Sequence, residues 1–268
     1  MKLSIITINL NNKEGLKKTI QSVRSQSFKN YEFIIIDGES TDGSIDLIKE
    51  YSNNINYWVS EKDTGIYEAM NKGTNVAKGE YCNFMNSGDI FYDSNVLESV
   101  FKKNHYHDII IGKAKTNHRI IYPPKNPSFL FFFNIQPLNH QAAFIKKQLL
   151  NKYPYDETNY KIVSDWKFFI DAFIADNCSF LPINEFIVKF DDQGIGSIDP
   201  EKNLIEQKKV LNSFTHPRIL EDYEKFKYLD NRFIKLILPM IKFIENFGKY
   251  LNPAKYLKRL KKIIHTKN

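Results

Sequence analysis

The chain has 268 residues, of which 42% are hydrophobic and 26% charged, with a net charge of +7. This is the make-up of a soluble globular protein, large enough for one broad α/β domain with an appendage. Two cysteines, Cys82 and Cys178, exclude a disulfide framework, and no apolar run approaches the ~20 residues of a membrane span.

The first strand is expected over Leu3 to Ile8, directly after a Met-Lys start that lacks the features of a signal peptide. Asn11 or Asn12 caps a helix whose apolar positions Leu16, Ile20 and Val23 recur at helical spacing. Tyr31 to Ile36 reads as a second strand ending in Asp37-Gly38. Ser40 to Ser44 supplies turn and cap chemistry for a helix through Tyr51. Ile55 to Val59 is a third strand, Gly65 to Ala77 a third helix and Glu80 to Met85 a fourth strand. Strand-helix repetition with short links implies a mostly parallel sheet flanked by helices. Cys82 falls in the fourth strand as a small buried hydrophobe, which suits a reducing compartment.

Ligands of such sheets sit beyond the carboxyl ends of the strands. Asp37, Asp63 and the Asn86-Ser87-Gly88-Asp89 turn all follow strand ends, so three polar loops converge on one edge. Farther on, Asp93 to Lys103 reads as helix, Asp108 to Lys113 as strand, and Leu149 to Asp156 as a loop. Val163 to Ile174 reads as helix, and Phe180 to Phe190 contains a strand. The Phe129–Phe133 run has two readings, a core segment or an exposed apolar surface. Trp166 likewise either stacks on a ligand or packs in the core.

Residues from Pro200 onward read as helix. From Asn231 to Asn268 there are ten Lys/Arg against one Glu, +9 of the total of +7, so residues 1–230 carry −2. The basic character belongs to the tail, which argues against nucleic-acid binding. Apolar stripes among its lysines have the composition of a helix lying in a membrane interface. The expected division is 1–200 for the α/β domain, in halves 1–92 and 93–200, and 201–268 for a helical, membrane-associating extension.

Thr7-Ile8-Asn9 and Ile35-Ile36-Asp37-Gly38-Glu39-Ser40-Thr41-Asp42-Gly43-Ser44 resemble the opening of the family 2 glycosyltransferases of the GT-A, Rossmann-like fold. Ser60-Glu61-Lys62-Asp63-Thr64-Gly65-Ile66-Tyr67-Glu68-Ala69-Met70-Asn71-Lys72-Gly73 is similar to the middle block of a subgroup that builds bacterial surface polysaccharides. Ala77 to Tyr81 with Phe84 to Asp89 matches its next block. The resemblance is clear over residues 3 to about 92, weaker to about 197, and absent in the tail.

It implies a UDP-sugar donor and a divalent cation, Mn²⁺ or Mg²⁺. It implies that Asp37 contacts uracil, flanked by Asn9 and Glu39, and that Asp63 makes a second base or ribose contact. Asn71 and Lys72 then approach the diphosphate or sugar, and Asp89 is the metal carboxylate. Asn86 stands where the family has a first acidic residue; its amide oxygen is able to ligate a hard ion. The resemblance places the base of an inverting transfer in an acidic motif opening a helix, and Asp165 in Ser164-Asp165-Trp166 fits, ahead of Asp156 and Asp171. His140, in His140-Gln141, positions donor or acceptor, and Gly194 with Gly196-Ser197 resembles a closing loop. The implied activity is hexosyl transfer to a lipid-linked acceptor, at the cytoplasmic face of the membrane. Two alternatives are a nucleotidyltransferase, against which stands the lack of glycines in Asn9 to Lys13, and a sugar-binding scaffold that has lost catalysis.

Overall fold

The protein is described from a computed structural model covering residues 1–136, 138–190, 199–229 and 239–240. Strands β1 (Leu3–Asn9), β2 (Tyr31–Asp37), β3 (Tyr57–Ser60) and β4 (Tyr81–Phe84) form one parallel block in the order β3-β2-β1-β4. Every residue of β1 and β4 is buried, as expected for strands covered on both faces. Helices α1 (Lys13–Arg24), α2 (Ser44–Glu50) and α3 (Ile66–Val76) supply the crossovers. Asn12 is the cap of α1, its side chain accepting from the Gly15 N–H at 3.1 Å, and α1 buries Leu16, Ile20 and Val23. The β1–β2 register runs from Leu3 opposite Tyr31 to Asn9 opposite Asp37, so both strands end level and their last side chains meet.

Beyond the fourth strand the sheet is mixed. β5 (Ile90–Phe91), β6 (Ile109–Lys115), β7 (Ile120–Ile121), β8 (Ala143–Lys146) and β9 (Phe180–Lys189) complete nine strands among the described residues. β8 runs antiparallel between β4 and β6, β9 is parallel to β6, and β5 is antiparallel to β9. The parallel layout read from the sequence thus holds for the first ninety residues, where each link is a helical crossover. β5 and β8 are reached by links of other kinds, and the direction of strands this short leaves no trace in hydrophobic period.

Around the second half lie α4 (Val96–Phe101), α5 (Phe129–Phe133), α6 (Lys147–Lys152) and α7 (Ser164–Ile170). The phenylalanine run is α5, with Phe132 and Phe133 buried and Phe132 edge-on to Trp166 at 5.8 Å. It is therefore mainly a core segment, although Leu130 stays exposed. The loop expected from Leu149 begins with the last turn of α6. The helix expected over Val163 to Ile174 is α7 followed by a π turn, Asp171–Ala175.

Two compact units are present, Met1–Phe214 and Thr215–Asn268. Helix α8 (Pro200–Phe214) belongs to the first, burying Glu206, Val210 and Leu211. The second unit contains α9 (Pro217–Leu229). The basic tail lies almost wholly outside the described residues, as do Gly194, Gly196 and Ser197. Among the described residues no helix is long and apolar enough to cross a membrane.

Candidate active site

The level ends of β1 and β2 build the first cluster. Asp37 is fully buried and accepts four hydrogen bonds: from Asn9 Nδ2 (2.7 Å), Ser40 Oγ (2.6 Å), the Ser40 N–H (2.9 Å) and Ser60 Oγ (2.6 Å). A carboxylate has about four acceptor positions, so Asp37 ties together the loops after β1, β2 and β3. Glu39 beside it is exposed and left-handed, at φ 64°, a conformation that few non-glycine residues adopt. Asp63 packs against Gly38 so closely that a Cβ there would lie 2.9 Å from Asp63 Oδ2. Burial raises the Asp63 carboxyl above its ordinary value, against the Gly65 N–H bond and the Lys72 charge, which lower it. Asn9, Asp37, Glu39 and Asp63 therefore share one edge, with Asn9 Oδ1 buried and unpartnered.

The second cluster is the turn after β4. Gly88 takes φ 108°, a left-handed backbone that favours glycine. The Asp89 N–H closes the turn on Asn86 O at 2.9 Å, and Thr19 of α1 holds it from behind. Thr19 Oγ1 accepts from the Gly88 N–H at 2.9 Å and donates to Asp89 O at 2.8 Å. Asp89 is 7% exposed, and neither its Oδ2 nor Asn86 Oδ1, both buried, has a hydrogen-bond partner. Burial pushes the Asp89 carboxyl up to about 7, with His140 pulling it down in part.

Buried acceptors without donors cost free energy unless something positive meets them. Two such oxygens from one turn fit a hard cation. No group of three or more His, Cys, Asp or Glu suited to a metal occurs among the described residues. A cation here would thus take few protein ligands and complete its shell from phosphate oxygens and water, as Mg²⁺ does.

Asp165, in the first turn of α7, supplies the third element. His140 Nδ1 donates to Asp165 Oδ2 at 2.9 Å, and the Tyr67 hydroxyl contacts Asp165 Oδ1 at 2.8 Å and Ile162 O at 2.6 Å. Burial opposes the charge on Asp165, but the bonds from His140 and Tyr67 outweigh it and hold the carboxyl below its ordinary value. On the other side of the ring, His140 Nε2 lies 3.5 Å from Asn86 Nδ2. With Nδ1 carrying the proton, Nε2 is the acceptor for that amide. A chain Tyr67–Asp165–His140–Asn86 thus joins the acidic helix start to the turn after β4. Both ends line one cavity of about 720 Å³.

Residues 4–153 match the family model described as Glycosyl transferase family 2. The chain belongs to that family. It is 29% identical over 207 residues to an uncharacterized glycosyltransferase of Mycobacterium tuberculosis, covering 73% of this chain and 77% of that one. S. aureus TarS 1–349 in complex with UDP-GlcNAc shares the fold at TM-score 0.62 and 19% identity, over 83% of this transferase and 70% of that chain. A longer TarS structure is matched over only 42% of its length. A mannosyltransferase from Pyrobaculum calidifontis, in complex with GDP-Man and Mn²⁺, gives TM-score 0.61 at 14% identity, over 98% of this chain and 80% of that one.

Not every residue singled out in the transferase's sequence reaches the cavity. Asn71 on α3 bonds Tyr155 O (2.8 Å), the Tyr155 N–H (3.1 Å) and Glu157 Oε2 (2.9 Å), and so pins a distant loop. Lys72 pairs with Glu61 at 2.9 Å and Glu68 at 3.0 Å. Neither lines the wall, and nor do Asn9, Asp37, Glu39 and Asp63. Trp166 does, but it is 5% exposed and its Nε1 donates to Gln136 O at 3.3 Å, so packing is its main task.

Sequence reasoning missed Tyr67, although it stands inside a matched block, and Glu206. Nothing local marks a contact between residues 98 apart. Lys72 carried a visible signal, since Glu68 and Lys72 are four apart on a helix and pair on its surface.

Proposed function

We propose that this family 2 enzyme is an inverting transferase that moves a sugar from a UDP-sugar to a lipid-linked glycan acceptor in surface polysaccharide synthesis. One observation carries the reading. Asp165 lines the same cavity as the unpartnered oxygens of Asn86 and Asp89, and His140 spans the distance between them. The Asn9, Asp37, Glu39 and Asp63 edge takes the uridine. Because Asp37 is saturated internally, its part is to hold the loops that frame the base, with the unpartnered Asn9 Oδ1 beside it.

A divalent cation on Asn86 and Asp89 supplies charge neutralisation for the departing diphosphate. The chain's own groups do the rest. The acceptor hydroxyl oxygen attacks the anomeric carbon as the bond from that carbon to the diphosphate oxygen breaks. The electron pair leaves on UDP, and the hydroxyl proton passes to Asp165. His140 and Tyr67 keep that carboxylate ionised and aimed, the state a base needs before transfer.

Calorimetric titration of UDP and GDP with Mg²⁺ tests the donor class. UDP should bind only with the cation present and GDP at least about tenfold more weakly, a difference of ~1.4 kcal/mol. Absence of binding by every UDP compound would overturn the uridine assignment.

The basic tail holds the enzyme at the inner face of the membrane in this reading. Each Lys or Arg near anionic lipid contributes ~1 kcal/mol, and residues 231–268 carry ten. The full chain should float with anionic vesicles and a chain ending at residue 230 should not. Equal flotation of both would end the idea.

A further inference from the structure

The Tyr67 hydroxyl faces two acceptors, Ile162 O at 2.6 Å and Asp165 Oδ1 at 2.8 Å, and a phenol has a single proton to give. Beside an ionised Asp165 that proton satisfies one oxygen, and the other faces the hydroxyl without a donor. Beside a protonated Asp165 both contacts are made. The carboxyl O–H donates to the Tyr67 oxygen, and the Tyr67 O–H donates to Ile162 O. The ring has little room to move, being buried against Tyr155 at 5.5 Å. Burial and the neighbouring Asp165 charge push the phenol well above its ordinary pKa, so it keeps its proton. The Ile162 carbonyl is held in turn. Lys161, Ile162 and Val163 lead into α7, and the Val163 side chain caps nothing there. Glu206 of α8, itself buried, accepts the backbone N–H groups of Lys161 (3.1 Å), Ile162 (2.9 Å) and Val163 (3.3 Å). Three successive backbone donors thus end on one carboxylate, which pins the peptide that carries Ile162 O. Tyr67, Ile162 and Asp165 line the cavity, and Glu206 stands behind its wall.

We propose that Tyr67 and Glu206 are positioning residues for the base: Tyr67 partners Asp165 both before and after it takes the acceptor's proton, and Glu206 fixes the carbonyl that makes the second state possible. This rests on the transferase reading above and adds where the proton is held once it has moved. In the step itself the acceptor O–H bond breaks and an O–H bond forms on Asp165 Oδ1, while the anomeric carbon–oxygen electrons leave on UDP. The Tyr67 O–H bond does not break. It turns from Asp165 to Ile162 O, and the Tyr67 oxygen accepts the new carboxyl proton. With Ile162 O out of place, the Tyr67 proton would have no acceptor but the group that has just been protonated. The uptake of the proton would then lose a hydrogen bond at the moment it is needed.

The test uses the full chain with Mg²⁺ and UDP-glucose, UDP-galactose or UDP-N-acetylglucosamine, with water in the acceptor's place. UDP release gives kcat, and calorimetry gives UDP affinity. Tyr67→Phe and Glu206→Gln should each lower kcat at least about tenfold and leave UDP affinity within about twofold. Gln keeps the size of Glu206 but offers one oxygen and turns an amide N–H₂ toward the same backbone donors. Combined, the two changes should lower kcat no further than the larger of them alone. In an Asp165→Asn background neither should lower the residual rate, because groups that act through one another do not add. A role in folding alone would lower the rate by the same factor in every background. Wild-type kcat in either variant, or an equal fall with Asp165 replaced, would overturn the proposal. If Glu206→Gln fails to fold, Tyr67→Phe, which loses only a hydroxyl, decides in the same two backgrounds. A wild type that releases UDP from none of these donors would bring down the transferase reading, and this one with it. A wild type that turns over beside an unaffected Tyr67→Phe would sink the positioning alone.

Discussion

Asp165→Asn should lower kcat by about 10²- to 10⁴-fold, the range that a positioned general base contributes, and leave UDP binding within about twofold of wild type. The substitution keeps size and removes the charge that receives the proton. One oxygen remains to accept from Tyr67 or His140, so the surrounding loop keeps most of its contacts. Release of UDP from a turning-over donor reads the first effect and calorimetry the second. A fall smaller than tenfold would place the base elsewhere. The other two candidates are poor substitutes. Asp171 is paired with Lys167 at 2.6 Å, Asp156 accepts from Asn159, and neither lines the cavity.

Asp89→Asn should have two opposite effects. Transfer should fall steeply, because the turn then offers two neutral amide oxygens and no carboxylate charge to a divalent cation. The metal-free protein, however, should become more stable at pH 8. The Asp89 carboxyl titrates at about 7 in the folded chain against an ordinary 3.8. Below 3.8 both states hold the proton and burial carries no charge penalty. Between 3.8 and 7 the unfolded chain releases the proton while the folded chain keeps it, so stability falls as pH rises. Above 7 the whole cost stands, on the order of 4 kcal/mol for a gap of about three units. Asparagine carries no such cost. The advantage of Asp89→Asn should therefore be largest at pH 8 and vanish near pH 4 in denaturant titrations. Mg²⁺ should raise the melting temperature of the wild type and not that of the variant. A variant less stable than wild type at pH 8 without metal would contradict the buried, unpartnered carboxylate.

The first half of the fold was legible because its signals are local. The seven buried residues of β1, the helical spacing of Leu16, Ile20 and Val23, and the cap at Asn12 need no distant partner to be read. β5 and β8 have two and four residues, too few for a period to speak. The five-residue helix α5 is an unbroken apolar run, which a strand would also show. In the candidate site, Asp89 is proposed from an ordered block and Asp165 from an acidic motif opening a helix, both by resemblance. The contacts around them leave no such local mark. His140 reaches Asp165 across 25 positions, Tyr67 across 98, and Glu206 holds Ile162 across 44. Asn71 reads as a substrate contact because it stands in a matched block, and in the fold its amide closes on Tyr155 and Glu157. Packing at a distance decided these cases, and no local pattern records it.

The central claim is that Asp165 activates an acceptor hydroxyl on the side of the anomeric carbon away from the diphosphate held at Asn86 and Asp89. Proton NMR of the newly formed glycosidic linkage, compared with the anomeric configuration of the UDP-sugar consumed, tests it most directly. A single displacement of this kind predicts the opposite anomer in the product from the first turnover. A product with the donor's own configuration would contradict it.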